Sequence, residues 1–200
     1  MIRVIGAGPG NKKYLTVEAY EIIKASPCLA AFGRISKLAE EMGINAIRVK
    51  NVADILKLID KTEDLDILAS GDPCLFSITE YLKKNGIRVD EVIPGISSFQ
   101  YMMAKLKKSW EGARFVSLHG REEDMPEEVR SGMTVLFTDR HHTPGQISKM
   151  LSRMGLSGKL YAGFHLSYPD EKIIVKKIGE DIENDSDLSV VVIENEMDKR

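Results

Sequence analysis

The stretch Leu68–Ser77, LASGDPCLFS, decides how the chain is read. An apolar run stops at Gly71-Asp72-Pro73 and a second apolar segment begins at once. Leu65–Ala69 reads as a buried strand, and Phe76–Lys84 as the helix after it, stopping at Asn85-Gly86. A strand that turns straight into a helix belongs to a mainly parallel sheet, and open sheets of that kind gather ligands beyond the carboxyl ends of their strands. Asp72 stands at such an end. Gly71 tolerates close backbone approach there, and Pro73 fixes the turn and so the aim of the carboxylate. The plain alternative is that Asp72 only caps the following helix, a role that Asp and Asn fill about equally well.

The same design recurs on both sides. Ile2–Gly8 reads as a strand running into GAGPG (Gly6–Gly10), and Val89–Ile93 as a strand ending in PGISS (Pro94–Ser98). Helical stripes intervene: Leu15, Ala19, Ile22 and Ile23 behind a Thr16 cap, Ile35–Met42 stopping at Gly43, and Val52–Ile59. Phe99, Met102, Met103 and Leu106 form another stripe, capped by Ser97 or Ser98. With a short strand at Cys28–Phe32, the alternation specifies an α/β fold with helices covering the sheet.

The rhythm changes after KLKKSWEG (Lys105–Gly112), which reads as a linker between residues 1–108 and 112–200. Beyond it, FVSLHG (Phe115–Gly120) and TVLFT (Thr134–Thr138) read as strands, with a short helix at Met125–Arg130. Thr143-Pro144 opens a helix with stripe Ile147, Met150, Leu151 and Met154. LYAGFHL, EKIIVKKI and LSVVVIE then crowd together without helices, as in a mixed or antiparallel sheet.

The 200 residues carry a formal net charge of -2, which gives no general pull toward nucleic acid or anionic membrane. Two cysteines, Cys28 and Cys74, do not make a disulfide framework and fit a reducing cytoplasm. The opening MIRVIGAGPG reads as a strand and a glycine turn rather than a leader peptide, and no apolar stretch has the length of a membrane span.

GAGPG fails the dinucleotide pattern G-x-G-x-x-G, because Asn11 takes the third glycine's place and Pro9 removes a backbone donor. No acidic residue follows the second strand, where Gly33 and Arg34 stand. A nicotinamide or flavin cofactor is therefore not expected. His119, His141, His142 and His165 lack metal-site spacing, so no metal is expected either. His141-His142 beside Arg140 reads as a solvated loop. His119 and Arg121, in SLHGR at a strand end, are better placed to hold substrate carboxylates, which arginine pairs with bidentately.

In order, VIGAGPGN (Val4–Asn11), LASGDPCLFS and VIPGISSFQ (Val92–Gln100) resemble the tetrapyrrole methylases that use S-adenosylmethionine. SLHGR, VLFTD (Val135–Asp139) and HLSYPDEKI (His165–Ile173) look most like the branch that methylates C5 of precorrin-6Y or cobalt-precorrin-7 in cobalamin biosynthesis. The resemblance covers essentially the whole chain. It implies two α/β domains, the second built on a mixed sheet, with S-adenosylmethionine in the cleft between them, in a cytoplasmic homodimer. Pro9, Gly71, Asp72, Leu75, Ser97, Ser98, Thr138 or Asp139, and the backbone near Leu166 would then meet the cofactor, with Pro9 at the base of the substrate trough. A separate enzyme could carry out the C15 methylation and decarboxylation. Two departures stand out: Asp139 replaces a common methionine, and Phe164-His165 replaces Glu-Asn. Methylation of another ring carbon or of a diphthine precursor, and a nucleotide-binding module without turnover, are the alternative readings. The motifs name no catalytic residue.

Overall fold

A computed structural model describes residues 1–118, 125–139, 141–186 and 189–196. His119, Arg121 and Arg140 fall outside the described residues. The chain divides into two compact units, Met1–Tyr101 and Met102–Arg200.

The first unit alternates β1 (Ile2–Gly6), α1 (Val17–Ala25), β2 (Leu29–Phe32), α2 (Ile35–Glu41), β3 (Ile47–Val49), α3 (Val52–Ile59), β4 (Leu65–Ala69), α4 (Ile78–Lys84) and β5 (Glu91–Ile93). The five strands form one parallel sheet in the order β3-β2-β4-β1-β5. Alternate residues of each strand feed opposite faces. Ile5 and Leu68 join α1 and α2 in one core layer, while Val4, Leu65 and Ile67 join α3 and α4 in the other. Polar side chains begin the helices as their sequence indicates: Thr16 accepts the Ala19 N–H at 3.1 Å, and Asn51 accepts that of Asp54 at 3.1 Å.

Toward the amino ends of the strands, Arg3 of β1 is tied sideways to its neighbours. Its Nε lies 2.8 Å from Asp66 Oδ1 on β4, and its Nη1 3.3 Å from Glu91 Oε2 on β5. The register sets Arg3 opposite both residues. Asp66 is buried against this guanidinium partner.

Helix α5 (Ser98–Leu106) contains the division between the units. The boundary thus falls before Lys105–Gly112, and the physical reason is that this stretch is held rather than loose. Lys105 pairs with Glu171 at 3.6 Å, and Lys108 donates to Glu194 at 2.8 Å while lying over the Tyr161 ring.

The second unit holds β6 (Arg114–Ser117), β7 (Met133–Phe137), α6 (Pro144–Arg153), β8 (Gly158–Phe164), β9 (Lys172–Lys177) and β10 (Ser189–Asn195). Its mixed sheet runs β6-β7-β10-β8-β9, with only the β6–β7 pair parallel. The short helix read at Met125–Arg130 is a 3-10 turn over Glu127–Arg130. Helix α6 starts in a full capping box between Thr143 and Gln146, with Pro144 in the first turn. Its Ile147 and Leu151 pack with Val116, Leu136, Phe164 and Val191 into the core of this unit.

Candidate functional site

Three adjacent strands, β4, β1 and β5, end together, and their turns are made of one another. Beyond β1, Gly8 and Gly71 exchange backbone hydrogen bonds, N–H to O of 3.3 and 2.8 Å, as an isolated antiparallel bridge. Gly6 and Gly95 face each other so closely that a Cβ on Gly95 would lie 2.3 Å from Gly71 O and 2.8 Å from Gly6 Cα. Gly6, Gly8 and Gly95 are required by the approach of protein backbone to protein backbone, whereas a Cβ on Gly71 would meet only Ser97 at 3.6 Å and it is the φ of 67 that favours glycine there. The sequence reading expected Gly71 to make room for a ligand. Its N–H and C=O are both engaged by Gly8.

Asp72 does not cap α4. That helix begins six residues later, behind Ser77, because Phe76 takes a left-handed conformation (φ 47) that no helix propagates. The Asp72 carboxylate accepts the Cys74 N–H at 2.8 Å and the Gly95 N–H at 3.4 Å, fastening the GDP turn to the PGISS turn. A carboxylate offers about four acceptor positions. Two are thus left to serve a ligand's hydroxyl or ammonium group.

The other residues named for the first unit divide between buried support and reachable surface. Pro9 is buried, and the turn after it brings Tyr14 edge-on to Tyr101 at 4.8 Å. Ser97 is the cap of α5: its hydroxyl accepts the Gln100 N–H at 3.3 Å, and Gln100 Oε1 takes the Ser97 N–H at 2.8 Å. Ser98 and Leu75 are half-buried beside them, with Leu75 N–H closing a turn on Asp72 O.

In the second unit the carboxyl ends of β6, β7 and β8 lie at one edge of the sheet, around the start of β10. Thr138 is buried there and bonds through Oγ1 to Ser189 O at 2.7 Å. Leu166 is buried in the turn after β8, flanked by His165 (φ 46) and Ser167 (φ 75) in the left-handed region. Two non-glycine residues of this kind, one on each side of a leucine, mark a turn held by its surroundings. Gly163 makes room for it, since a Cβ there would lie 2.9 Å from Leu166 Cδ2.

The loop between β7 and α6 corrects the sequence reading of His142 as solvated, while His141 is exposed as read. His142 is 7% exposed, and its Nδ1 lies 3.0 Å from Asp139 Oδ1. The same oxygen accepts the N–H groups of His141 and His142 at 2.9 and 2.8 Å. A signal was available: a strand ending in Asp139 with α6 opening at Thr143 leaves a loop so short that an acidic residue must turn back on its own backbone.

Burial alone would raise the Asp139 carboxyl, but the backbone and ring of His142 and the His141 N–H outweigh it and take it down to about 2. A carboxyl lowered on folding contributes stability above its ordinary value near 3.8, lost as pH falls through about 2. Asp139→Asn is expected to flatten the fall in unfolding free energy between about pH 4 and 2, by up to about 2 kcal/mol. Urea titrations across that window measure it. Superimposable acid limbs for wild type and variant would count against it.

Among the described residues no cluster of three or more His, Cys, Asp or Glu could hold a metal ion. Cys28 and Cys74 are free thiols, and no described helix is long and apolar enough to cross a membrane.

Comparison with known proteins places this geometry. The family model of tetrapyrrole (corrin/porphyrin) methylases matches residues 1–181. A probable cobalt-precorrin-7 C(5)-methyltransferase of Methanocaldococcus jannaschii is 31% identical, covering 98% of this chain and 99% of its own. The cobalt-precorrin-7 C(5)-methyltransferase of Salmonella typhimurium is 28% identical, over 98% and 100%. Among solved structures, the precorrin-6Y methylase of Archaeoglobus fulgidus superposes with a TM-score of 0.76 at 20% identity, covering 98% of each chain. The uroporphyrin-III C-methyl transferase of Thermus thermophilus, complexed with S-adenyl homocysteine, gives 0.77 at 21% identity and 96% of each. The last two establish the fold alone; together with the family match and the relatives, they leave one conclusion, that the chain belongs to the tetrapyrrole methylases.

Proposed function

We propose that this chain transfers the methyl group of S-adenosylmethionine to carbon 5 of a cobalt-precorrin ring, as a step of cobalamin biosynthesis. The similarity to C(5)-methyltransferases along nearly the full length of both chains carries this reading. The strand ends agree with it chemically: Asp72 retains acceptor capacity for ribose hydroxyls or an ammonium group. We assign Asp72, Leu75, Ser97 and Ser98 to the cofactor, together with Pro9 and Gly71 in the turns after β1 and β4. Thr138 and Leu166 are assigned to it from the second unit, Thr138 through its backbone because its hydroxyl is engaged by Ser189.

When bound, S-adenosylmethionine supplies a methyl group already activated on a sulfonium. The protein's own task is placement, and holding two reactants in line can lower a barrier by roughly 7–11 kcal/mol. His119 and Arg121, outside the described residues, are proposed to meet the ring's carboxylates. The same reading expects a homodimer working in the cytoplasm, and a separate enzyme for the ring's C15 chemistry.

The test is twofold. S-adenosylhomocysteine is expected to stabilise the purified chain in a thermal-shift titration, whereas NAD is not; stabilisation by NAD alone would defeat the cofactor assignment. Incubation with S-adenosylmethionine and cobalt-precorrin-7 should then yield a singly methylated corrinoid with the new methyl on C5. A probable cobalt-precorrin-2 C(20)-methyltransferase of M. jannaschii is 25% identical over 88% of this chain, so methylation of that acceptor at C20 instead is the competing outcome.

A further inference from the structure

We infer that His142 takes up the proton released by the ring carbon once that carbon has been methylated, and that Asp139 holds the imidazole in the form that can do so. The inference rests on the methyl-transfer reading above and assigns that reaction the proton acceptor its motifs leave unnamed.

The reaction creates the need. The ring carbon gives an electron pair to the methyl carbon; the C–C bond forms, the C–S bond breaks, and its pair stays on sulfur, giving neutral S-adenosylhomocysteine. The methylated carbon still carries its hydrogen, and the ring carries a positive charge. Transfer of that proton to a base returns the C–H pair to the conjugated ring, and no oxidant or reductant is needed.

The Asp139–His142 pair has the features of such a base. Both side chains are largely withdrawn from water, at 9% and 16% exposure for His142 and Asp139. Asp139 accepts at Nδ1, so the neutral imidazole carries its hydrogen there and its lone pair on Nε2. Nε2 has no hydrogen-bond partner among the described residues. A carboxylate that orients a histidine and then stabilises the imidazolium is the arrangement by which hydrolases hold their general base. Asp139 is well suited to that second task, because its carboxyl is held ionised far below neutral pH. The pair also stands where ligand chemistry is expected, directly after Thr138 at the edge where β6, β7 and β8 end. Glu194 is committed to Lys108 and Tyr161, Glu171 to Lys105, and His165 to Asp170.

A purely structural role is the rival, because Asp139 also gathers two backbone N–H groups. His142→Asn separates the two. Its side-chain amide can donate to Asp139 from the position of Nδ1 and so preserve the loop, but it offers no basic nitrogen. The expected result is wild-type unfolding, wild-type S-adenosylhomocysteine affinity by calorimetry, and methylation of cobalt-precorrin-7 slowed by about 10²- to 10⁴-fold. In His142→Ala, added imidazole should restore part of the rate. Undiminished turnover in His142→Asn overturns the inference. So does a loss of turnover that is matched by lost stability or lost S-adenosylhomocysteine affinity, since that pattern belongs to a positioning role. Failure of the wild type itself to bind S-adenosylhomocysteine would sink the methyl-transfer reading first, and this inference with it.

Discussion

Gly95→Ala is expected to be the most damaging small substitution in the first unit. The added methyl would sit 2.3 Å from Gly71 O, 2.8 Å from Gly6 Cα and 2.9 Å from Gly6 C. All three neighbours are backbone, so no rotamer change relieves the contact, and the turns beyond β1, β4 and β5 must separate. Overpacking in well-ordered interiors typically costs about 1–3 kcal/mol and occasionally more. This case belongs at or above the top of that range, a large share of the roughly 5–15 kcal/mol that holds a domain folded. Gly86→Ala is the control. Gly86, unlike Gly95, has a positive φ (73), and a Cβ there meets nothing within 4 Å, so backbone strain of roughly 1–2 kcal/mol is its whole expected effect. Denaturant midpoints for the two variants test the difference. If Gly95→Ala unfolds no earlier than Gly86→Ala, the three-glycine contact does not matter as described.

Asp72→Asn should weaken S-adenosylhomocysteine binding about ten- to a hundredfold, the equivalent of the roughly 1.5–3 kcal/mol that a hydrogen bond to a charged group contributes. From sequence, the ligand-free protein was expected to be indifferent to this change, because a carboxylate at an open strand end stabilises little. The Gly95 N–H alters that expectation. Asparagine has one acceptor oxygen for two N–H groups; if it keeps the shorter bond to Cys74, its amide N–H points at that of Gly95. A loss of about 1 kcal/mol of unfolding free energy should accompany the weaker binding. Calorimetric titration and an unfolding curve on each protein measure the two effects separately. Unchanged affinity would remove Asp72 from the cofactor contacts, and unchanged stability would mean the bond to Gly95 contributes nothing.

Much of the architecture was legible because it is local. Leu65–Ala69 and the helix beginning at Thr143-Pro144 follow from apolar periodicity and cap chemistry, and both stand as read. Strand β3 escaped notice because it has three residues, two of them exposed, and therefore no alternation to detect. The start of α4 was misplaced by the left-handed Phe76, a conformation that no propensity favours for an aromatic residue. The candidate residues were named from sequence, but their partners were not. Gly71, Asp72 and Ser97 were each recognised at strand ends, yet what each one touches depends on how β4, β1 and β5 lie side by side. His142 was misjudged for a related reason, since a polar side chain that folds back on its own loop looks, in sequence, like one that faces water.

Strands β4, β1 and β5 are fastened at both ends, by Arg3 with Asp66 and Glu91 at one and by the Gly8–Gly71 bridge and the Asp72–Gly95 bond at the other. Strands so joined cannot slide past one another, and the platform is complete before any ligand arrives. Ordering entropy is therefore spent during folding rather than on association, the condition under which binding is least penalised. The amide hydrogens of Gly8 and Gly71 should exchange slowly in the ligand-free protein and no more slowly in the complex. Protection gained on binding should instead appear at exposed positions around the platform such as Ile96.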